Sequence, residues 1–239
     1  MNEPAHQAPS HRVSLRAVLR TALGYIVLLV ILAGLLFVPA GRWDWFEGWL
    51  FIALYTVLIG SYAAWGHLKD PEQFRERRRI AENTKPWDRA ILMAYTLLLP
   101  APFVVAGLDA GRFQWSSVPV WLQALAWLGL LAAGSLVLAA VVTNTYLSRS
   151  ARIQDDRHQV VVTAGPYRLV RHPMYLGVIL VFACLPLALG SWWALIPGVL
   201  IAGLFVIRTS AEDAMLRSEL EGYGAYARKV RYRLVPGLW

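Results

Sequence analysis

One stretch of the chain, GPYRLVRHPMYLG from Gly165 to Gly177, joins several polar side chains to the start of a long apolar run. Two arginines, a histidine and two tyrosines lie within nine positions. Pro173 suits the first turn of the following helix, because its missing N–H costs nothing there. Arg171 and His172 are therefore predicted beside a helix N-terminus, where a polar or anionic ligand can bind. The alternative is that these basic residues only mark the cytoplasmic end of a membrane span.

A second pair of candidate residues, Arg208 and Glu212, lies at the end of the last long apolar run. A spacing of four residues places both on one face of a helix. Charged side chains at the edge of a span are costly and usually have a function. The alternative is a plain ion pair along the helix, worth only roughly 0.2–0.5 kcal/mol.

The elements that must position these residues are long and apolar. Hydrophobic residues make up 57% of the 239-residue chain and charged residues only 16%. A helix needs about 20 apolar residues to cross a bilayer. Six runs approach or exceed that length: residues 20–40, 47–67, 88–108, 119–147, 174–190 and 192–210. The sequence therefore predicts an all-α, polytopic transmembrane helical bundle of about six spans.

This bundle is predicted to be a single integral membrane domain. Residues 1–19 would form a cytosolic arm, residues 20–147 the first four spans, and residues 148–239 the functional core. The longest polar connection, residues 149–172, leads directly into the candidate motif. The site is therefore expected at the ends of the helices, together with the C-terminal tail.

The placement of charge predicts the orientation of the bundle. Lys and Arg gather in the N-terminal arm, in the second and fourth connections and in the tail. The first, third and fifth connections hold only Arg42 and Arg112. By the positive-inside rule, both termini and the candidate site face the cytoplasm. The formal net charge of +8 thus follows membrane topology, which argues against nucleic acid as a partner.

The second connection is predicted to begin with a short interfacial helix. Asp70 suits its N-cap, Pro71 its first position, and Gln73 the partner residue of a capping box. The arginine run at residues 75–79 would then contact anionic lipid headgroups. A solvated charge cluster is the alternative.

The Arg-His-Pro-x-Tyr run at residues 171–175 resembles a motif of the isoprenylcysteine carboxyl methyltransferase family and of the related phospholipid N-methyltransferases. A second block, RTSAEDAMLRSELEGYGAYARKVRYRLVPGLW at residues 208–239, is similar to the tail of that family. It has an arginine, an acidic pair four positions on, tyrosines, and a basic ending with Leu and Pro. The two blocks cover roughly residues 140–239. Upstream, PEQFRERRR and KPWDR look like bacterial members, which implies a bacterial inner membrane.

The resemblance implies an integral membrane methyltransferase that uses S-adenosyl-L-methionine. Arg171 suits the methionyl carboxylate, and His172 and Tyr175 suit hydrogen bonds to the ribose or adenine. Gln159 departs from the family, since histidine is expected there in the eukaryotic enzymes. The residues expected to bind the cofactor are Gln159, Val161, Gly165, Tyr167, Arg171, His172, Tyr175 and Glu212.

For the methyl transfer itself, the resemblance points to Arg208 and Glu212 as the Arg and Glu of the reaction site. Arg208 would orient an anionic or polar acceptor, and Glu212 would hold Arg208 in place or lie near the sulfonium. Asp213 stands where the family often has a second Glu. Three residues of the tail are candidates for a lid over the cofactor, with plain packing as the alternative: Tyr223, Tyr226 and Arg231.

The acceptor is expected to be lipophilic, either a small molecule or a lipidated substrate, because a membrane enzyme suits a substrate that dissolves in membrane lipids. A carboxylate of the isoprenylcysteine type, methylated on oxygen, is the first expectation, with Arg208 as its partner. A phospholipid amine or another amine, or a thiol, is the alternative. In that case Glu212 would help to deprotonate or steer it.

Two other classes of protein stay open. A membrane reductase with a nicotinamide cofactor would need basic residues for a 2′-phosphate, which Arg152 and Arg157 could supply. A non-catalytic scaffold would need no cofactor at all. A metal site is not expected, since no spacing of His, Cys, Asp and Glu resembles one.

Overall fold

The computed structural model describes residues 15–76 and 84–239. This part of the chain is helical and contains no strand, which confirms the predicted fold class. Most of the predicted cytosolic arm, and the arginines from residue 77 onward in the second connection, lie outside the described residues. The α-helices are α1 Leu15–Ala40, α2 Phe46–Leu68, α3 Pro71–Glu76, α4 Pro86–Leu98, α5 Ala101–Ala106, α6 Val120–Thr143, α7 Pro173–Ala188, α8 Leu195–Glu219 and α9 Tyr223–Lys229.

Shorter helical turns complete the description. A π-helical turn, Gly107–Phe113, continues α5, so that α4, α5 and this turn form one span, Pro86–Phe113. Two 3-10 turns, Asp155–Arg157 and Gly165–Arg168, lie in the connection between α6 and α7.

Five helical segments in the described residues are long and apolar enough to cross a membrane: α1, α2, Pro86–Phe113, α6 and α8. The predicted fifth span corresponds to α7, which has only 16 residues. At a rise of 1.5 Å per residue this helix is about 24 Å long, less than the roughly 30 Å of a hydrocarbon core. The predicted last span, residues 192–210, corresponds to the apolar part of α8. Helix α8 continues to Glu219 because its polar second half finds partners within the protein.

Contacts between helix ends show which ends share a side of the bundle. His67, at the end of α2, lies 3.2 Å from the hydroxyl of Thr21 near the start of α1. Lys85, just before α4, lies 2.8 Å from the carboxylate of Glu219 at the end of α8. The start of α7 lies at the same side. We call this side the inner end; it contains His67, Lys85, Thr143, Pro173 and Glu219.

Helices α6, α7 and α8 pack closely because glycines remove side-chain bulk where the helices meet. A Cβ on Gly177 would lie 2.6 Å from Cγ2 of Val137, and one on Gly198 would lie 2.5 Å from the carbonyl oxygen of Phe182. Small residues permit this close approach in a bilayer, where packing drives helix association. The start of α7 is thereby held beside the second half of α8, which brings the two candidate motifs together.

Helix α3 confirms one prediction and corrects another. The main-chain N–H of Gln73 donates to Oδ1 of Asp70 at 2.9 Å, so Asp70 caps the helix as predicted. The expectation that the side chain of Gln73 completes a capping box is wrong. Its Nε2 donates to the carbonyls of Val141 at 2.7 Å and Asn144 at 2.6 Å. The last carbonyls of α6 need partners, and this buried amide supplies them.

At the opposite, outer end, a buried carboxylate ties the third span to the turn between α7 and α8. Asp109 is fully buried. It accepts hydrogen bonds from the N–H of Ser116 at 2.8 Å and from the hydroxyl of Ser191 at 2.6 Å. This cluster closes the outer end of the bundle, away from the candidate motifs.

Candidate functional site

The Arg-His-Pro-x-Tyr run lies at the inner end, between the long connection and the C-terminal tail. Pro173 is the first residue of α7, as predicted, and His172 is the N-cap residue before it. The main-chain N–H groups of Arg171 and His172 donate to the carbonyls of Tyr232 at 3.0 Å and Arg233 at 2.9 Å. Main-chain hydrogen bonds therefore hold the tail against the motif.

Asp213, on α8, is the centre of a buried ionic cluster. It accepts hydrogen bonds from Nε of Arg171 at 2.6 Å and from Nη2 at 3.0 Å. Nε of Arg217 and Nε of Arg233 each lie 3.0 Å from Oδ2, and the hydroxyl of Tyr223 donates to Oδ1 at 2.9 Å. One fully buried carboxylate thus joins α8, the motif and the tail.

Arg171 uses most of its donors on groups of the protein. Besides its bonds to Asp213, its Nη1 donates to the carbonyls of Val230 at 2.8 Å and Arg231 at 2.7 Å. A guanidinium has five N–H groups, so one N–H on Nη2 remains. Burial lowers the pKa of Arg171, but the hydrogen bonds and charge of Asp213 raise it above its usual value. Arg171 can therefore offer a ligand one hydrogen bond and a positive field.

Arg208 pairs with Asp88 on α4. Its Nε lies 2.7 Å from Oδ1 and its Nη2 donates to Oδ2 at 3.1 Å, and both side chains are buried. Nη2 also donates to the carbonyl of Arg149 at 3.0 Å, and the guanidinium lies over the ring of Tyr175, 5.2 Å from its centroid. The alternative interpretation of Arg208 and Glu212 as a plain ion pair along the helix is therefore wrong, because Asp88 offers the guanidinium both of its oxygens.

Glu212 accepts a hydrogen bond from the hydroxyl of Tyr175. Among the described residues it has no cationic partner within ion-pair distance. The ring of Tyr175 stacks on that of His172, with the ring centroids 5.7 Å apart and an angle of 2° between the ring planes. The half-buried carboxylate of Glu212 is thus held in place by Tyr175 and not by an ion pair.

These groups border a cleft at the inner end, between the connection that precedes α7 and helices α7, α8 and α9. The cleft has a volume of about 750 Å³ when its open mouth is included. Gly165 and Arg208 do not line it. Seven of the eight residues predicted to bind a cofactor do line it: Gln159, Val161, Tyr167, Arg171, His172, Tyr175 and Glu212.

Gly165 contributes through its backbone. Its φ of +53° lies in the left-handed region, and a Cβ would lie 2.7 Å from Oγ1 of Thr143. Glycine is the residue that adopts this conformation without steric cost. The turn that follows brings Tyr167 to the cleft, and the carbonyl of Tyr167 accepts a hydrogen bond from the hydroxyl of Tyr226 at 2.7 Å.

The tail tyrosines Tyr223 and Tyr226 line the cleft, whereas the residue Arg231 is exposed. Burial raises the pKa of Tyr226 to about 12. Burial, together with the charge of Asp213 and the hydrogen bond to it, raises the pKa of Tyr223 further. Both phenols are therefore neutral donors at physiological pH. Their hydrogen bonds make α9 a wall of the cleft.

Several polar groups of the cleft are available to a ligand. The main-chain N–H and C=O groups of residues 160–162 make no hydrogen bond within the described parts of the chain. The buried hydroxyl of Ser150 also has no partner there. Apolar side chains flank these groups, among them Val161, Met215 and Leu216. This combination suits a flat heteroaromatic ring with a polar edge.

Sequence reasoning missed Asp88 and underestimated Asp213. Asp88 entered only as part of the KPWDR block, although a carboxylate in the first turn of an apolar span is costly and calls for a partner. The charge count already placed this turn and Arg208 on the same side of the membrane. That coincidence was the available signal for the pair.

The fold defines an integral membrane protein that has a cleft at the inner end of its helical bundle. Residues 121–221 match the family model described as phospholipid methyltransferase. This part of the chain is similar to that family of integral membrane methyltransferases, which confirms the resemblance seen in the sequence. The match covers every residue that lines the cleft except Tyr223 and Tyr226. A comparison with curated proteins gives no significant match.

Proposed function

We propose that the protein is a membrane methyltransferase that binds S-adenosyl-L-methionine in the cleft and methylates a lipophilic acceptor. The observation that carries this proposal is Glu212. It is the only acidic residue among those that line the cleft, and no cation of the described residues lies within ion-pair distance of it. A carboxylate in a partly buried site attracts an opposite charge strongly, and the sulfonium of the cofactor carries that charge.

The remaining groups of the cleft fit the rest of the cofactor. Residues 160–162 offer apolar side chains and unpaired main-chain groups to the adenine, and Ser150 offers its buried hydroxyl. Arg171 has one N–H left for the methionyl carboxylate. One N–H allows a single hydrogen bond, and the direct contact stays a prediction.

When bound, S-adenosyl-L-methionine supplies a methyl group that is activated by its positively charged sulfur. The residues of the chain then have to bind and align the cofactor and the acceptor and to exclude water. Alignment and desolvation provide most of the rate in such a displacement. Tyr175 directs its proton to Glu212 and is held between the ring of His172 and the guanidinium of Arg208. These contacts fix the carboxylate beside the cleft before any ligand binds.

For the acceptor we propose first a carboxylate of the isoprenylcysteine type. Arg208 does not line the cleft, but its guanidinium lies over the ring of Tyr175, and its Nη1 makes no hydrogen bond within the described residues, so that it has a donor left for one carboxylate oxygen. A lipid amine or a thiol is the second candidate, and one observation favours the amine. Asp88 already pairs with Arg208, whereas Glu212 has no cation within ion-pair distance among the described residues, so this carboxylate can attract a cationic acceptor.

The geometry argues against a nicotinamide reductase. Arg152 lies 2.8 Å from the carboxylate of Asp156, and Arg157 lies 3.3 Å from that of Glu72. The two arginines considered for a 2′-phosphate are thus already paired with acidic side chains. The family match, which is to methyltransferases, points the same way.

We further propose that the inner end, with the cleft and both termini, faces the cytoplasm of a bacterial cell. The described connections at this end carry Lys69, Lys85, Arg149 and Arg152, as the positive-inside rule requires. Soluble cofactor would then reach the cleft from the cytosol, and the acceptor would reach it from the membrane lipids.

A thermal-shift titration of the purified protein in detergent tests the proposal. A ligand that binds only the native state raises the apparent stability with its concentration. We expect S-adenosyl-L-methionine and S-adenosylhomocysteine to raise the melting temperature and NADPH to leave it unchanged. Stabilisation by NADPH alone would establish a reductase, and no shift with any of the three would favour a scaffold.

The variant Glu212→Gln sharpens this test. It should lower the affinity for S-adenosyl-L-methionine by about tenfold, equal to about 1.4 kcal/mol. The affinity for S-adenosylhomocysteine, whose sulfur is uncharged, should fall much less. Glu219→Gln, one heptad further along α8 and partly exposed, is the matched control and should change neither affinity. An equal loss for the two ligands in Glu212→Gln would contradict a role for the carboxylate at the sulfonium.

A further inference from the structure

Asp88 is a fully buried carboxylate in the first turn of α4. It does not line the cleft, and it lies outside residues 121–221, which match the methyltransferase family. A buried charge is costly unless it is paired and hydrogen-bonded. The partners of Asp88 therefore indicate why a charge is kept at this position.

These partners belong to two different elements. Oδ1 lies 2.7 Å from Nε of Arg208, and Oδ2 accepts from Nη2 of Arg208 at 3.1 Å. Oδ2 also accepts a hydrogen bond of 2.7 Å from the main-chain N–H of Ala151. Ala151 and its neighbour Ser150 both line the cleft. Asp88 thus holds an arginine of α8 and one edge of the cleft with a single carboxylate.

The arginine passes this constraint on to the opposite wall. Its guanidinium lies over the ring of Tyr175, and Tyr175 holds the carboxylate of Glu212 by a hydrogen bond. Any displacement of Arg208 would therefore shift Tyr175, and with it Glu212. The contacts run from Asp88 through Arg208 and Tyr175 to the charge that faces the cleft.

We propose that Asp88 is a positioning residue of the methyltransferase site. It sets the distance between the Ser150–Ala151 edge and Glu212, and so the fit of the cleft around the cofactor. This inference rests on the proposed function and extends the site from the family-matched part of the chain to the first turn of the third span. A residue that only fastened α4 to α8 would affect stability alone.

The variant Asp88→Asn tests the proposal. It keeps the shape and one acceptor oxygen but removes the charge that orients Arg208. We expect the affinity for S-adenosylhomocysteine to fall by about tenfold, as for residues coupled in one network. We also expect the NMR resonance of the [methyl-¹³C] group of bound S-adenosyl-L-methionine to shift, because that carbon reports the field and geometry at the sulfur.

Asp109→Asn is the matched control, because Asp109 is an equally buried aspartate at the outer end of the same span. It should lower the melting temperature and leave both the affinity and the methyl resonance as in the wild type. An unchanged affinity and resonance in Asp88→Asn would overturn the proposal. An equal loss of binding in Asp109→Asn would also overturn it, because general destabilisation would then explain the effect.

The double variant Asp88→Asn, Arg208→Gln keeps the test available if the single variant folds poorly. The double variant removes both partners of the buried pair and leaves no unpaired buried charge. Removing both partners is often far less destabilising than removing one. Because Asp88 is proposed to act through Arg208, the double variant should bind S-adenosylhomocysteine with the same affinity as Asp88→Asn. A further loss of affinity in the double variant would contradict the proposal. Failure of the wild type to bind either adenosyl ligand would refute the proposed function, and this inference with it.

Discussion

Arg171 and Asp213, 42 positions apart in the chain, form a two-point ion pair that excludes solvent. Nε and Nη2 of the arginine lie 2.6 Å and 3.0 Å from the two carboxylate oxygens, and the side chains are 2% and 0% exposed. Within the sequence motif Arg171 looks like a ligand-binding residue. In the fold it joins α8 to the start of α7 and to the tail, so the motif serves the site largely by holding its walls together.

Asp213→Asn should therefore destabilise the protein strongly. The substitution leaves the buried Arg171 without its anionic partner, and Arg217 and Arg233 lose theirs as well. Breaking a buried ion pair by removing one partner costs about 3–5 kcal/mol. Unfolding by a denaturing detergent, followed by circular dichroism, measures the change in the free energy of unfolding.

The control for this prediction is Glu219→Gln, which breaks the partly exposed pair with Lys85 at the same end of α8. A pair of this kind is worth about 0–1 kcal/mol. Equal effects of the two substitutions would show that the Asp213 cluster contributes no more than a surface pair.

Gly165→Ala should disturb the turn that leads into the motif. An alanine would have to adopt the left-handed φ of +53°, and its Cβ would meet Oγ1 of Thr143 at 2.7 Å. The backbone cost is about 1–2 kcal/mol, and the steric overlap adds about 1–3 kcal/mol. Melting temperature and affinity for S-adenosylhomocysteine should both fall.

Two variants separate the backbone cost from the overlap. Gly237→Ala has a φ of +83° but open space around the new Cβ, so it should show the backbone cost alone. Adding Thr143→Ala to Gly165→Ala removes the hydroxyl that the Cβ meets and should restore part of the loss. If this addition restores nothing, the overlap is not the cause.

Stability at high pH should depend on Tyr226. Its pKa is raised by burial from 10.0 to about 12, so the unfolded chain loses this proton at a lower pH than the folded protein. The contribution is complete below about pH 10 and is lost as the pH rises to about 12. The phenylalanine of Tyr226→Phe cannot ionise, so the melting temperature of this variant should fall less between pH 9 and 12 than that of the wild type. Each unit of pKa shift corresponds to about 1.4 kcal/mol in the free energy of unfolding.

Tyr232→Phe is the control for this pH profile, because the ring of Tyr232 in the same tail is exposed. It should follow the wild type throughout. A profile for Tyr226→Phe that also follows the wild type would mean that the phenol of Tyr226 ionises equally in the folded and unfolded chains.

The proposed orientation can be tested by thiol labelling in intact cells. The only cysteine, Cys184, would be replaced by Ala, and single cysteines introduced at Ser117 or Glu221, which are exposed at the outer and inner ends. A membrane-impermeant reagent should label the first variant in whole cells and the second only after the membrane is made permeable. The reverse pattern would contradict the positive-inside assignment.

Much of the fold is encoded locally and could be predicted. Apolar runs set the positions of the spans, and the proline at residue 173 set the start of α7, because each depends on a few consecutive residues. The same locality explains why most of the predicted cofactor residues share one cleft, since they lie close together in the connection before α7. Helix α8 continues beyond the apolar run because distant parts of the chain bind the side chains of its polar second half.

The amino-acid sequence by itself thus determined the all-helical membrane architecture, the resemblance of residues 121–221 to a methyltransferase family and the segment that borders the cleft. Only the tertiary structure decided how the charges pair. Arg208 lies four positions from Glu212 but pairs with Asp88, 120 positions away, because packing of α4 on α8 brings the two together. No local pattern encodes that choice: a buried arginine takes the carboxylate that offers it both oxygens, and helix packing decides which one that is.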